Sequence, residues 1–210
     1  MSTTEIPEHT QPRRRLSRED RQRQLLDMAW QLIREEGTDA LTLGYLAEKA
    51  GVTKPVVYDH FTTRAGLLAA LYQDFDRRQT ALMDAALANA EATLNGIATV
   101  IATAYVDCVL TQGNEIPGVI AALASTPELE KIKREYEAIF LEKCRNVLSP
   151  FADGAEIGQA GLRAMLGAAE ALSQAAATNE ISAEQARDEL LATIIAMVER
   201  AATRATQAGD

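Results

Sequence analysis

Histidine and cysteine are nearly missing from this 210-residue sequence, which has two of each. His9 lies in a polar N-terminal stretch and His60 has no imidazole or thiol neighbour at metal-ligand spacing, so no metal site is expected. Cys108 and Cys144 are far apart on apolar helical stretches, a pattern of neither a disulfide framework nor a zinc site. Also absent are a glycine-rich phosphate loop and a nucleophile elbow, so neither a cofactor nor an enzymatic activity is expected. Aromatics make up only 5% and prolines number six, which leaves long stretches free to be helical rather than β. No uninterrupted apolar run approaches a membrane span, and Met1–Gln11 lacks the apolar centre of a secretory signal. The expected setting is a reducing cytoplasm without a membrane partner.

What is present is charge, unevenly spread. The net charge is −9, yet residues 1–64 hold ten basic and ten acidic residues, so the whole excess lies in the remainder. Arg13, Arg14, Arg15, Arg18, Arg21 and Arg23 cluster near the start. An acidic body behind a locally basic head orients a molecule on a polyanion. Asp107 and Glu170 interrupt apolar helices; each shares a strip with polar residues, Thr103 with Asp107 and Arg163 and Gln174 with Glu170, which reads as a solvated face.

Helix punctuation then divides the chain. Residues 1–15 have no periodicity and read as a disordered basic arm. Ser17 caps a helix with Glu19 and Asp20 in its first turn and Leu25, Ala29, Leu32 and Ile33 on one face, closed by Gly37. Thr42 caps a short helix from Leu43 to Ala50 with Leu46 and Ala47 inward, Gly51-Val52 turns the chain, and Thr53 caps a third helix opening Lys54-Pro55. Thr63 caps a fourth, starting at Arg64. Two short helices joined by a glycine-containing turn are a helix-turn-helix. Val52, Val57 and Phe61 would hold it together from within, leaving Lys54, Pro55, Val56, Tyr58 and His60 on or near the other side.

The run Leu41-Thr42-Leu43, Leu46-Ala47, Ala50-Gly51-Val52-Thr53-Lys54, Val57-Tyr58, His60-Phe61, Thr63-Arg64 and Leu67-Leu68 resembles the signature of the TetR (tetracycline repressor) family of transcriptional regulators. The resemblance covers about residues 17–70. It implies an all-α fold, with a three-helix DNA-binding head at 16–62 and a helical ligand-binding and dimerisation body at 63–207. It also implies a dimer that binds double-stranded DNA at a palindromic operator, with repression as the family default. The third helix then enters the major groove. Lys54 donates to guanine, Pro55 and Val56 meet thymine methyls, Tyr58 reaches a phosphate or base edge, and His60 reaches a phosphate. Thr42, Thr53 and Arg64 stand at helix N-termini, suited to the DNA backbone. The family commonly has glycine and a small polar residue where this chain has Pro55 and Val56, so its base preference does not carry over.

The body continues as helices: a long one from Ala65 to about Ala90, an apolar one from Leu94 to Thr111, a short one after Pro117, and another opening at Thr126-Pro127. In the family such helices surround a small-molecule cavity. Tyr105, Cys108, Tyr136, Phe140 and Met165 are its expected walls, and the effector is expected to be small and largely apolar. The last two helices are expected to form the homodimer. One carries Ile157, Gly161, Ala164, Ala168, Ala171 or Leu172, and Ala175 on a stripe; the other carries Leu190, Leu191, Ile194, Met197, Val198 and Ala201 behind a Ser182/Gln185 capping box. Two other functions fit parts of the sequence. One is a ligand-binding or scaffolding protein without specific DNA binding. The other is a thiol redox sensor using Cys108 or Cys144, although Lys143 and Arg145 beside Cys144 point away from it on a helix.

Overall fold

The computed structural model describes residues 16–112, 115–123 and 127–208, and contains no strand among them. The expected arm at 1–15 lies outside the described residues. The helices are α1 (Arg18–Glu36), α2 (Leu43–Lys49), α3 (Lys54–Phe61), α4 (Arg64–Ala88), α5 (Leu94–Gln112), α6 (Glu115–Leu123), α7 (Pro127–Leu148), α8 (Gln159–Ala177) and α9 (Ala183–Ala208). Single 3-10 turns follow α1 (Thr38–Ala40) and α7 (Ser149–Phe151). The caps act where the sequence puts them. Ser17 accepts from the Asp20 amide, Thr42 from Tyr45 and Thr63 from Gly66. Ser182 and Gln185 exchange reciprocal hydrogen bonds of 2.9 and 3.1 Å, a complete capping box. α6 starts before Pro117 rather than after it. A proline in a first helical turn removes no intrahelical hydrogen bond, so the turn accommodates it.

Two hydrophobic cores form. The first joins α1, α2 and α3 to the first half of α4 and to Val119 of α6, with Leu25, Leu32, Leu46, Val57, Phe61, Leu67 and Leu71 buried. Leu67, Leu68 and Leu71 of α4 pack into this first core, and Met83 near its other end packs into the second. An ionic lock reinforces the join. Asp74 of α4 is nearly buried, accepts from Trp30 Nε1 at 3.4 Å, and pairs with Arg77 at 3.2 Å and Arg78 at 2.6 Å. Arg78 also reaches Asp27 of α1 at 3.3 Å.

The second core is built by α5, α8 and α9 with α7 and the far end of α4. α5 is long and apolar enough to cross a membrane by length and composition. Here it packs most extensively on α9 and then on α8, its Ala98 and Ala102 letting the helices approach closely. The stripe expected for dimerisation divides. Leu190, Ile194, Met197 and Val198 are buried in this protomer's own core, while Leu191 and Ala201 are half-buried. On α8, Ala164 and Ala171 are exposed and Ala168, Leu172 and Ala175 half-buried, whereas Gly161 lies under Met197. A helix in a bundle has one face for its own core, and α5 claims that face of α9 first. Asp107 stays partly exposed on its polar strip and is paired there: Arg187 of α9 donates to it from two nitrogens, Nε at 2.9 Å.

Candidate functional site

The helix-turn-helix rests on the turn at Gly51. Its φ of +65° suits glycine, and the Val52 amide closes back on the Ala47 carbonyl at 3.0 Å, ending α2 cleanly. α3 then presents two faces. Val57 and Phe61 are buried, Lys54, Pro55 and Tyr58 are exposed, and Val56 and His60 are half-buried. Tyr58 is 50% exposed. The Lys54 side chain lies across Gly44 of α2, where a Cβ would stand 3.6 Å from its Cε.

Thr53 begins α3 but makes no side-chain cap hydrogen bond. The reason is local. Pro55 has no amide to offer, and the Val56 amide instead meets the Thr53 carbonyl at 3.0 Å. Thr42 caps α2 and remains exposed. Arg64 is half-buried and turned inward, donating from Nε to the Leu41 carbonyl at 2.8 Å and from a terminal nitrogen to the Thr38 carbonyl at 2.7 Å. It thereby braces the turn before α2. Burial, reinforced by Arg18, holds the His60 imidazole below its usual pKa, so it is neutral at pH 7, and its buried Nδ1 has no hydrogen-bond partner among the described residues. Arg18 of α1 pairs with Asp59 of α3 at 3.2 Å, a link between the two helices that the sequence reading does not anticipate.

A second site lies behind the head. A cavity of about 150 Å³ opens between α4, α5, α6, α7 and α8. Tyr105, Cys108, Tyr136 and Phe140 line it; Met165 does not, being buried in the second core, and its neighbour Leu166 takes that wall. α4 contributes Tyr72, Phe75, Asp76, Gln79, Thr80 and Met83. These residues share one helical face, and the readable signal was polar side chains interleaved on an apolar stripe. Glu170 is exposed as expected, and it also borders the cavity and pairs with Lys133 at 3.6 Å. Burial pushes both thiols, Cys108 and Cys144, up to about 12, which keeps them protonated and poorly nucleophilic at neutral pH.

The cavity straddles the two cores. Tyr136, Phe75 and Ile120 pack on the first, Tyr105, Phe140 and Leu166 belong to the second, and Tyr72 is buried in the first. α6 carries this seam to the head, because Gly118 sits against Thr38, so close that a Cβ there would lie 2.5 Å from the threonine hydroxyl.

Residues 25–71 match the model of bacterial regulatory proteins of the tetR family. Over 59 residues the chain is 39% identical to the HTH-type transcriptional activator FasR of Mycolicibacterium smegmatis; the match covers 28% of this chain and 27% of that protein. The fold is similar to that of a TetR-family transcriptional regulator from Streptomyces coelicolor, with a TM-score of 0.65 at 18% identity over 87% of this chain and 97% of the other. It is also similar to the fatty acid degradation regulator FadR of Bacillus halodurans, with a TM-score of 0.65 at 16% identity over 81% and 94% of the two chains.

Proposed function

We propose that the chain is a TetR-family regulator, since residues 25–71 match that family's model and the fold is similar to that of TetR-family regulators, and that it is a cytoplasmic dimer that binds a palindromic DNA operator and is released by a small effector. The observation that carries this reading is the outer face of α3. Lys54, Pro55 and Tyr58 stand exposed on a helix fixed from behind by Val57 and Phe61, with the exposed hydroxyls of Thr53 and Thr42 at the adjoining helix starts. A helix held this way has the shape to enter a major groove, with its first residues at base edges. Lys54 and Tyr58 are assigned base or phosphate contacts, Pro55 and Val56 apolar contact with thymine methyls, and Thr42 and Thr53 phosphates. Arg64 acts by holding the turn before α2, and His60, neutral, contributes to packing more than to phosphate binding.

A single head has few base contacts, so specificity asks for two, roughly 34–36 Å apart on DNA. The dimer forms through the outward faces of α8 and α9, where Ala164 and Ala171 are exposed and Leu191 is only half-buried. Filling the cavity at the seam of the two cores favours a head spacing that no longer fits the operator. Repression follows if the operator overlaps a promoter; FasR, by its name an activator, shows that a similar head serves the opposite sign in another protein.

The test is binding-site selection from genomic fragments by the purified protein at fixed salt, scored for a two-fold motif. Lys54→Ala and Tyr58→Ala should each weaken binding to the selected site by about 1–3 kcal/mol while leaving the melting temperature unchanged. Weak, sequence-independent binding that both variants share with the wild type would turn the assignment towards a ligand-binding or scaffolding protein.

A further inference from the structure

The proposed effector site has a charge preference that can be read from its walls. Five rings line the cavity in two groups. Tyr72 meets Tyr136 edge to face at 5.5 Å and lies tilted against Phe75 at 6.3 Å, and Tyr105 lies tilted against Phe140 at 5.6 Å. Among them stands Asp76, half-buried. The other charged wall residues are already matched: Lys133 pairs with Glu137 at 3.2 Å and Glu170 at 3.6 Å, and Arg163 pairs with Glu137 at 2.8 Å. Lys143, the cation nearest to Asp76 in effect, hydrogen-bonds Asp84 at 2.7 Å. No hydrogen bond or ion pair within the described residues satisfies the Asp76 carboxyl. The wall therefore has a spare carboxylate to accept a charged donor and no spare cation.

We propose that the effector is a small organic monocation, an amine whose ammonium pairs with Asp76 while its apolar body lies among the aromatic rings. This deepens the reading of the chain as an effector-released regulator and rests on it for the consequence, not for the binding. The chemistry is complementary on both counts. Ring faces attract a desolvated ammonium, and a carboxylate in a partly dry site forms a stronger hydrogen bond with a charged donor than with a neutral one. Burial holds the Asp76 carboxyl above its usual range, with only the charge of Lys143 acting against it. A cavity of about 150 Å³ has room for about one ring, so the body is a single aryl or a short alkyl group. A carboxylate ligand such as a fatty acid would face Asp76 with no free cation to receive it.

The experiment uses isothermal titration calorimetry on the full chain with three probes of one shape: 2-phenylethylamine, 2-phenylethanol and phenylacetate. The amine should bind most tightly and phenylacetate least. Asp76→Asn keeps the side-chain shape and should weaken the amine by about tenfold or more, the worth of one charge-assisted hydrogen bond, while leaving 2-phenylethanol within about twofold. Unchanged binding of the neutral probe also shows that the variant is folded. Equal or tighter binding of phenylacetate, no loss of amine affinity in Asp76→Asn, or no amine binding at millimolar concentration would each overturn the proposal. Operator binding by the unliganded protein is measured separately. Amine binding without operator binding removes the regulator reading and keeps this one; operator binding without amine binding does the reverse.

Discussion

At the residue scale, the chain departs from easy conformations where the head meets the body. Thr62, between α3 and α4, has φ of +59°, a left-handed setting that a β-branched side chain resists, and the Thr63 amide folds back on the Phe61 carbonyl at 2.5 Å. Such a residue costs on the order of 1–3 kcal/mol and persists only because its neighbours fix it. Neither this strain nor the inward turn of Arg64 was legible in the sequence. A Thr-Thr-Arg run reads as a cap followed by a cation, and the carbonyls that capture Arg64 come from residues 23 and 26 positions earlier. His60 carries a pH dependence. Burial first, then Arg18, lowers its folded pKa below the unfolded value, so its contribution to stability is present above about pH 6.5 and is lost as pH falls through the folded value. Urea midpoints at pH 7.5 and 5.5 should therefore fall further for the wild type than for His60→Gln; equal losses would place the buried imidazole outside the acid response.

At the element scale, the sequence was most informative where caps and periodicity agree. α1, α2 and α9 begin where Ser17, Thr42 and Ser182 cap them, because capping is decided within four residues, whereas α3 begins after Thr53 without a side-chain cap bond. The faces of α8 and α9 were harder to assign. An apolar stripe states that a face is buried but not by what, and the stripe on α9 serves α5 and α8 before it can serve a second copy. The start of α4 makes the sharpest case for local fit. A Cβ on Gly66 would lie 2.2 Å from the Phe61 carbonyl oxygen, so the last residue of α3 and the first turn of α4 touch backbone to backbone. Gly66→Ala must push the two helices apart. It should destabilise the protein by about 1–3 kcal/mol, lowering the melting temperature by about 2–4 °C per kcal/mol. It should also weaken operator binding by displacing α3, and a variant that melts and binds like the wild type would show that the turn yields freely.

At the scale of the whole molecule, the two cores meet in a seam lined by the cavity and reach the head through α6. The sequence indicated four cavity residues but missed Asp76, Phe75 and Tyr72, since which face of a 25-residue helix meets which neighbours is a tertiary fact. If α6 carries the signal, its contact with the head should behave as a coupled pair. Gly118→Ala should lower stability and operator affinity together, and Thr38→Ala, which removes the hydroxyl 2.5 Å from the added methyl, should restore most of both. Equal losses with and without the Thr38 hydroxyl would show that α6 does not work through this contact. The lock between α1 and α4 has a practical consequence as well. Trp30 is the single tryptophan of the chain, and its indole donates to Asp74 on α4, the helix that also carries Tyr72 and Phe75 of the cavity. The protein therefore carries one tryptophan at the junction of α1 and α4, between the helix-turn-helix and the cavity. A shift in its emission would follow occupancy of the pocket, displacement of the head, and unfolding without a label.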